Sequence, residues 1–473
     1  MNFAGIFRSL TLPLLIGLLT VCMPLSGQWS SDPSVNTPVI SLSGRTGLRS
    51  MIPDGSGGVF LAWVDHHNPA GNVELQRVDS AGRLRWDKNG VPVSGVMGDR
   101  RLAGMASDGS NGLIVAWDEA RGSPDFDIYA QRFDAIGTPI WKKGGVPLVK
   151  LKGNQTGPVV LEDGSGGAIV VWSDNRSGTA DQPRSAVYAQ RVNRRGAALW
   201  PPNGVLLAVS AGAEVGPVAA PDGRGGIVVC WQDRRSGSDE IYAQRLSTRG
   251  SRRWGKGGIR VSAARNQTFP AIAADGNGGA VIAWEDHSVI GNGNIFAQRI
   301  DSTGAKQWAA AGIPVCTSPS NQIHPVARPA GDGGAYIAWT DFRYPKSRVY
   351  IQRLTAGGGN AWLTNGLPPS TSAEPQGDPA LLPLAPAGLV VAWTEIRNGD
   401  RDIMMQRLDP SGGEPIWDEN GTSVSEAQED QTSAVIVPDG RNGVIAAWND
   451  ERHKVAGETG IYVQRVDSAG KLH

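Results

Sequence analysis

The chain has 473 residues with 45 Lys+Arg against 45 Asp+Glu, and a formal net charge of zero leaves no basic field for gripping nucleic-acid phosphates. Hydrophobic residues make up 40%, with 63 Gly and 31 Pro, which excludes a disordered chain and points to a turn-rich globular one. Trp is the outlier, at 16 against 7 Tyr and 8 Phe.

In chain order the first segment, residues 1–27, reads as a cleaved secretory signal. It carries one charge, Arg8, then the apolar stretch Leu10 to Leu25 broken by Pro13, then the small residues Ser26 and Gly27. That stretch is too short to span a bilayer comfortably, so the mature chain is expected to start near Gln28. Leu19-Thr20-Val21-Cys22 has the outline of a lipoprotein signal, but Val21 stands where such signals carry Gly, Ala or Ser. The mature chain keeps Cys230 and Cys316, too few for a disulfide framework. A secreted, periplasmic or cell-surface protein with no membrane span is expected.

From residue 43 to 473 one motif recurs eight times. Its third copy runs from Gly157 through Asp163-Gly-Ser-Gly-Gly and Trp172-Ser-Asp174-Asn-Arg176 to Val187-Tyr-Ala-Gln190-Arg191, then Gly196 and Trp200. The first Trp of each copy is Trp63, Trp117, Trp172, Trp231, Trp284, Trp339, Trp393 and Trp448, at intervals of 54, 55, 59, 53, 55, 54 and 55. Each unit holds four short runs rich in β-branched and aromatic residues between Gly, Asp, Asn and Ser turns. Four strands at this period predict a propeller blade. The fold class is therefore all-β, an eight-bladed β-propeller of four-stranded antiparallel blades, with strands A to D expected near Pro158–Leu161, Ala168–Trp172, Val187–Val192 and Leu199–Ala208 in blade three.

A second Trp follows each Gly turn, at Trp86, Trp141, Trp200, Trp254, Trp308, Trp362 and Trp417, but blade eight stops at His473 before reaching one. Trp29, followed by Pro38-Val39-Ile40, supplies it. Residues 28–42 are thus expected to form the outer strand of blade eight and close the ring, removing its unpaired ends. The Trp-x-Asp/Glu-x-Arg acids and the Asp-Gly-x-Gly-Gly turns recur in nearly every blade, as scaffolding does. A catalytic group is needed once.

The repeat resembles the uncharacterised propeller repeats of secreted and surface bacterial proteins, in which Asp-Gly-x-Gly-Gly, Trp-x-Asp-x-Arg and Ile-Tyr-Ala-Gln-Arg recur; Ile128 to Arg132 and Ile241 to Arg245 reproduce the last element. That resemblance implies a fold and no particular activity. Asp79-Ser-Ala-Gly82-Arg-Leu-Arg-Trp86 is also similar to the blade-locking motif of eight-bladed quinoprotein dehydrogenases. Here Asp is three residues before Gly and no adjacent cysteine pair is present, so no cofactor is expected.

A-B and C-D turns lie on one face of such a disc and B-C and D-A loops on the other. The second set varies in length, and function is assigned to it. Residues that break the repeat there are Phe269, His287, His324, Phe342 and Tyr344, read as loop residues of blades five and six forming a rim of exposed rings, with Arg100 and Arg101 of blade two as further candidates. His66, His67 and His453 could form a metal site, since blades eight and one adjoin, but their loop geometry is not fixed by the sequence and none is assigned. The function read from the residues is a monomeric, non-enzymatic scaffold that engages a glycan or protein through this face. The alternative is an extracellular hydrolase or lyase using an asymmetric cluster such as Asp99, Arg100, Arg101 or His324.

Overall fold

A computed structural model describes residues 29–40, 46–66, 71–96, 98–177, 184–208, 214–288, 291–452 and 458–473. The segment read as an export signal lies outside these residues, as do His67 and His453. Eight antiparallel sheets follow one another along the chain, seven of four strands and one of three. In the three-stranded sixth sheet a single bridge, Ile351 to Leu367, stands where the fourth strand would run. Pro368 and Pro369 follow it and cannot donate to a ladder.

The A strands are Thr46–Pro53, Asp99–Ser107, Gln155–Glu162, Glu214–Pro221, Gln267–Ala274, Gln322–Pro329, Gln376–Leu384 and Gln431–Pro438. Each contacts the A strand of the next sheet, and the last contacts the first. They therefore form the innermost ring of an eight-bladed β-propeller, and the short D strands form its outer edge.

Between adjacent blades lie eight apolar clusters, each holding the fully buried Trp of a B strand. Blade three shows how the repeat secures that Trp. Trp172 Nε1 donates to Asp174 Oδ2 at 2.9 Å, the Arg176 guanidinium bonds Asp174 and the Asn203 carbonyl, and it lies 3.9 Å from the centre of the Tyr188 ring that stacks on the indole. The buried acid thus has both oxygens satisfied, as burial of a charge requires. Arg121, Arg235, Arg343 and Arg452 repeat the arrangement over Tyr129, Tyr242, Tyr350 and Tyr462. Among the described residues both cysteines, Cys230 and Cys316, are buried, and burial pushes the Cys316 thiol up to about 12.

A second device joins blade to blade. Trp141 Nε1 donates 3.0 Å to the carbonyl of Arg194 in the next C-D turn, whose Gly196 has φ 81° and brings its backbone so close that a Cβ would sit 2.9 Å from the indole. Only glycine fits there. Trp29 does the same across the seam, donating 2.9 Å to Ser80 of blade one. Strand Thr37–Ile40 pairs antiparallel with Gly460–Val466, so the N-terminal segment completes blade eight as expected.

Blade one breaks the pattern. Glu74 pairs across from Trp63 where other blades place an aromatic ring or methionine, and Trp63 Nε1 has no hydrogen-bond partner among the described residues. Burial, with Asp65 nearby, pushes the Glu74 carboxyl up to about 8. From its ordinary value of 4.5 up to about 8 the folded chain holds a proton that the unfolded chain has lost. Stability from this group therefore falls as pH rises through that window, by up to about 1.4 kcal/mol per pH unit. Glu74→Gln is expected to melt progressively higher than the parent between pH 5 and 8; parallel melting curves at every pH would contradict this.

Candidate functional site

Every A strand slips register against its B strand near the same end, as between Thr268 and Ala271 in blade five and between Ile323 and Val326 in blade six. The extra residue of each bulge sits on the inner rim of the B-C and D-A face. A bulge re-aims a side chain without breaking the sheet. In six blades the bulge residue has left-handed backbone: Gly157, Gly216, Phe269, His324, Asp378 and Ser433. Glycine adopts this conformation freely. Phe269 at φ 50° and His324 at φ 55° do so at a cost of about 1 to 3 kcal/mol each.

The two strained residues meet, their rings edge to face with centroids 5.2 Å apart. Phe269 remains 55% exposed and His324 is exposed as well. Beneath them Glu285, buried, ties three elements together. Its Oε1 accepts the backbone N–H of His324 at 2.6 Å, and its Oε2 lies 3.1 Å from His287 Nε2 and 3.5 Å from Thr268 Oγ1. His287 Nε2 also lies 3.2 Å from Thr268 Oγ1. Gly293 makes room for this ring, since a Cβ there would fall 2.9 Å from His287 Cε1. The arrangement holds one ring face and two imidazoles toward solvent on a support whose own polar groups are satisfied.

Of the residues singled out from sequence, Phe269, His287 and His324 are brought together, but Phe269 and His324 stand on A strands, not in loops. The bulge gives a strand residue the exposure of a loop residue. Phe342 and Tyr344 are in the B-C loop of blade six, 41% and 54% exposed, where the Phe342 N–H donates 2.9 Å to the Asn321 carbonyl. Neither stacks on the Phe269 and His324 pair among the described residues. Arg100 and Arg101 lie three blades away. Arg100 is buried and bonds Glu119 Oε1 at 2.9 Å and Asn72 Oδ1 at 2.8 Å, leaving its guanidinium occupied by the protein. Arg101 lies 4.0 Å from the centre of the Phe126 ring and pairs with Asp99.

Glu285 escaped the sequence reading because it is the unassigned middle residue of Trp284-Glu285-Asp286. A signal was present: the same position is Asp118, Ser173, Gln232, Thr340, Thr394 and Asn449 in other copies, polar in all but Val64. Asp118 and Asn449 likewise accept backbone N–H groups from the next blade's A strand, at Gly157 and Leu48. Among the described residues no group of three or more His, Cys, Asp or Glu is placed to hold a metal. No described helix is long and apolar enough to cross a membrane.

Open clefts lie elsewhere. One of about 620 Å³ sits on the A-B turn side, where Ile52, Met105, Leu161 and Pro221 end the A strands of blades one to four. Another, of about 540 Å³, lies beside Trp362 where the fourth strand of blade six is missing.

No family model and no curated protein matches the chain. Among solved structures it is similar to polysaccharide lyase Uly1, at 9% identity and TM-score 0.46 over 74% of this chain and 86% of that one. It is also similar to the Penicillium chrysogenum alpha-L-arabinanase complexed with arabinobiose, at 11% identity and TM-score 0.40 over 79% and 94% of the two chains. A eukaryotic initiation factor gives 12% identity and TM-score 0.46 over 92% and 89%. The class defined by the sheets is thus an eight-bladed β-propeller.

Proposed function

We propose that the protein is an exported, non-enzymatic carbohydrate-binding propeller whose saccharide site is the inner rim of blades five and six on the B-C and D-A face. The observation that carries this reading is the pair Phe269 and His324, two exposed rings held in backbone that blades three and four assign to glycine. Strain kept for an exposed ring, where glycine would serve the fold equally, indicates a surface selected for contact. An aromatic face beside imidazole and hydroxyl groups suits the apolar faces and hydroxyls of a sugar ring. Phe342 and Tyr344 extend the rim outward, and Arg101 with Asp99 would meet a longer chain across the opening.

Binding is favoured over cleavage because the acid in this cluster is occupied. A general acid or base needs an oxygen free to face the bond it acts on, and both Glu285 oxygens are engaged inside the protein. Phe269→Gly separates function from stability. It removes the ring and relieves the backbone, so melting should stay within about 1 kcal/mol of the parent while glycan-array binding and the affinity for the strongest array ligand are lost. An array with no ligand, or a variant that binds as the parent does, would contradict the proposal.

A further inference from the structure

The opposite face carries a feature that the repeat does not require. Between blades two and three, where A-B and C-D turns meet, lies a cleft of about 870 Å³ floored beside Trp141. The C-D turn of blade three reads Asn193-Arg194-Arg195-Gly196. The two positions before that glycine are Ser-Ala, Ala-Ile, Thr-Arg, Ser-Thr, Ala-Gly and Ser-Ala in blades one, two, four, five, six and eight, and blade seven has a one-residue insertion there. The residue after the docking Trp is Lys142 here, and Ser, Asp, Pro, Gly, Ala or Leu elsewhere. This is the one junction in the ring where all three positions are basic.

Arg132, which also lines the cleft, is committed to Asp108 at 2.8 Å. Lys142, Arg194 and Arg195 are exposed and form no ion pair among the described residues. Against these three the cleft lining holds one carboxylate that forms no ion pair among the described residues, Glu162. In a chain of zero formal charge this is a local positive field, and a concave site concentrates it. The turn that bears the arginines is pre-set, because the Arg194 carbonyl accepts both Trp141 Nε1 at 3.0 Å and Arg132 Nη1 at 3.2 Å.

The rest of the lining selects the kind of anion. Ser107, Ser110 and Ser165 and the glycine turns supply hydroxyls and backbone groups. Arginine clusters also receive acidic peptide motifs, and tetraglutamate in the test below separates that ligand; three serine hydroxyls beside the cations favour a chain that is itself hydroxylated. We propose that this cleft binds an acidic oligosaccharide, with Arg194, Arg195 and Lys142 receiving its carboxylate or sulfate groups and the serines its hydroxyls. The site is independent of the rim in blades five and six.

The test is calorimetric titration of the full mature chain with tetragalacturonate, a chondroitin sulfate tetrasaccharide, maltotetraose and tetraglutamate, at low and moderate salt. Binding of at least one acidic saccharide, with no binding of maltotetraose or tetraglutamate and with affinity falling as salt rises, is expected. The double variant Arg194→Ser, Arg195→Ser should weaken that binding at least about tenfold, since hydrogen bonds to charged groups are individually worth that much. Its melting temperature should not move, because both side chains are exposed. Phe269→Gly should leave this binding unchanged, which separates the two sites. Absence of acidic-saccharide binding, equal binding of maltotetraose, preference for tetraglutamate, or an unaffected double variant would each overturn the proposal.

Discussion

Replacing Trp172 with alanine is expected to lower the unfolding free energy by about 3 to 5 kcal/mol, with a matching loss of melting temperature. A buried indole contributes on the order of 4 to 6 kcal/mol gross, from about 150 to 250 Å² at about 25 cal/mol per Å². The packing around it explains why the cavity cannot close. Gly204 presses against the ring so tightly that a Cβ would sit 2.6 Å from Cη2, Tyr188 stacks on it, and Asp174 Oδ2 loses one of its two donors, keeping only Arg176. Trp172 suits this test better than Trp284, which precedes Glu285 and would disturb the rim as well. Thermal or denaturant melts check it, and an unchanged midpoint would remove the basis for the blade core.

Deleting residues 28–42 is expected to cost more than any point substitution and to leave a loose or insoluble product. The deletion removes the pairing of Thr37, Pro38 and Ile40 with Val463, Tyr462 and Ile461, and the Trp29 contact to blade one. It also removes Asn36, whose Nδ2 donates 2.8 Å to the Val424 carbonyl and whose Oδ1 accepts from Arg452 at 2.9 Å, so that one residue ties blade eight to blade seven. Arg452 would be left with bonds to Asp450 but without the Ser34 and Val35 carbonyls. An open ring exposes the outer edge of Gly460–Val466 to pairing with other chains. Size-exclusion behaviour and calorimetric cooperativity measure this, and a compact two-state product would contradict closure by the N-terminal segment.

The ring was legible in the sequence because each blade repeats the same chemistry, and because a count of sixteen Trp leaves Trp29 as the partner that blade eight lacks. What periodicity could not reach were the interruptions. Strand A of blade three was expected from Pro158, yet it begins at Gln155, because the bulge at Gly157 adds a residue and breaks the two-residue alternation. The same effect hid Phe269 and His324 inside strands. Strand D shrank from the expected Leu199–Ala208 to Val205–Leu206 because Pro201 and Pro202 cannot join a ladder and Trp200 docks on the next blade instead. Arg100, a loop candidate from the sequence, occupies the place that Gln155, Gln267 and Gln322 fill in other blades. Like them it is buried at the end of strand A, across from the acid two residues after the B-strand Trp, here Glu119.

The ligand rim is the claim on which the functional reading stands, and hydrogen–deuterium exchange of the full chain with and without its strongest array saccharide tests it most directly. Slowed exchange at residues 266–270, 284–288 and 321–325, and at no other blade's bulge, is the result the proposed function predicts. Protection confined to other blades, or none at saturating saccharide, would contradict it.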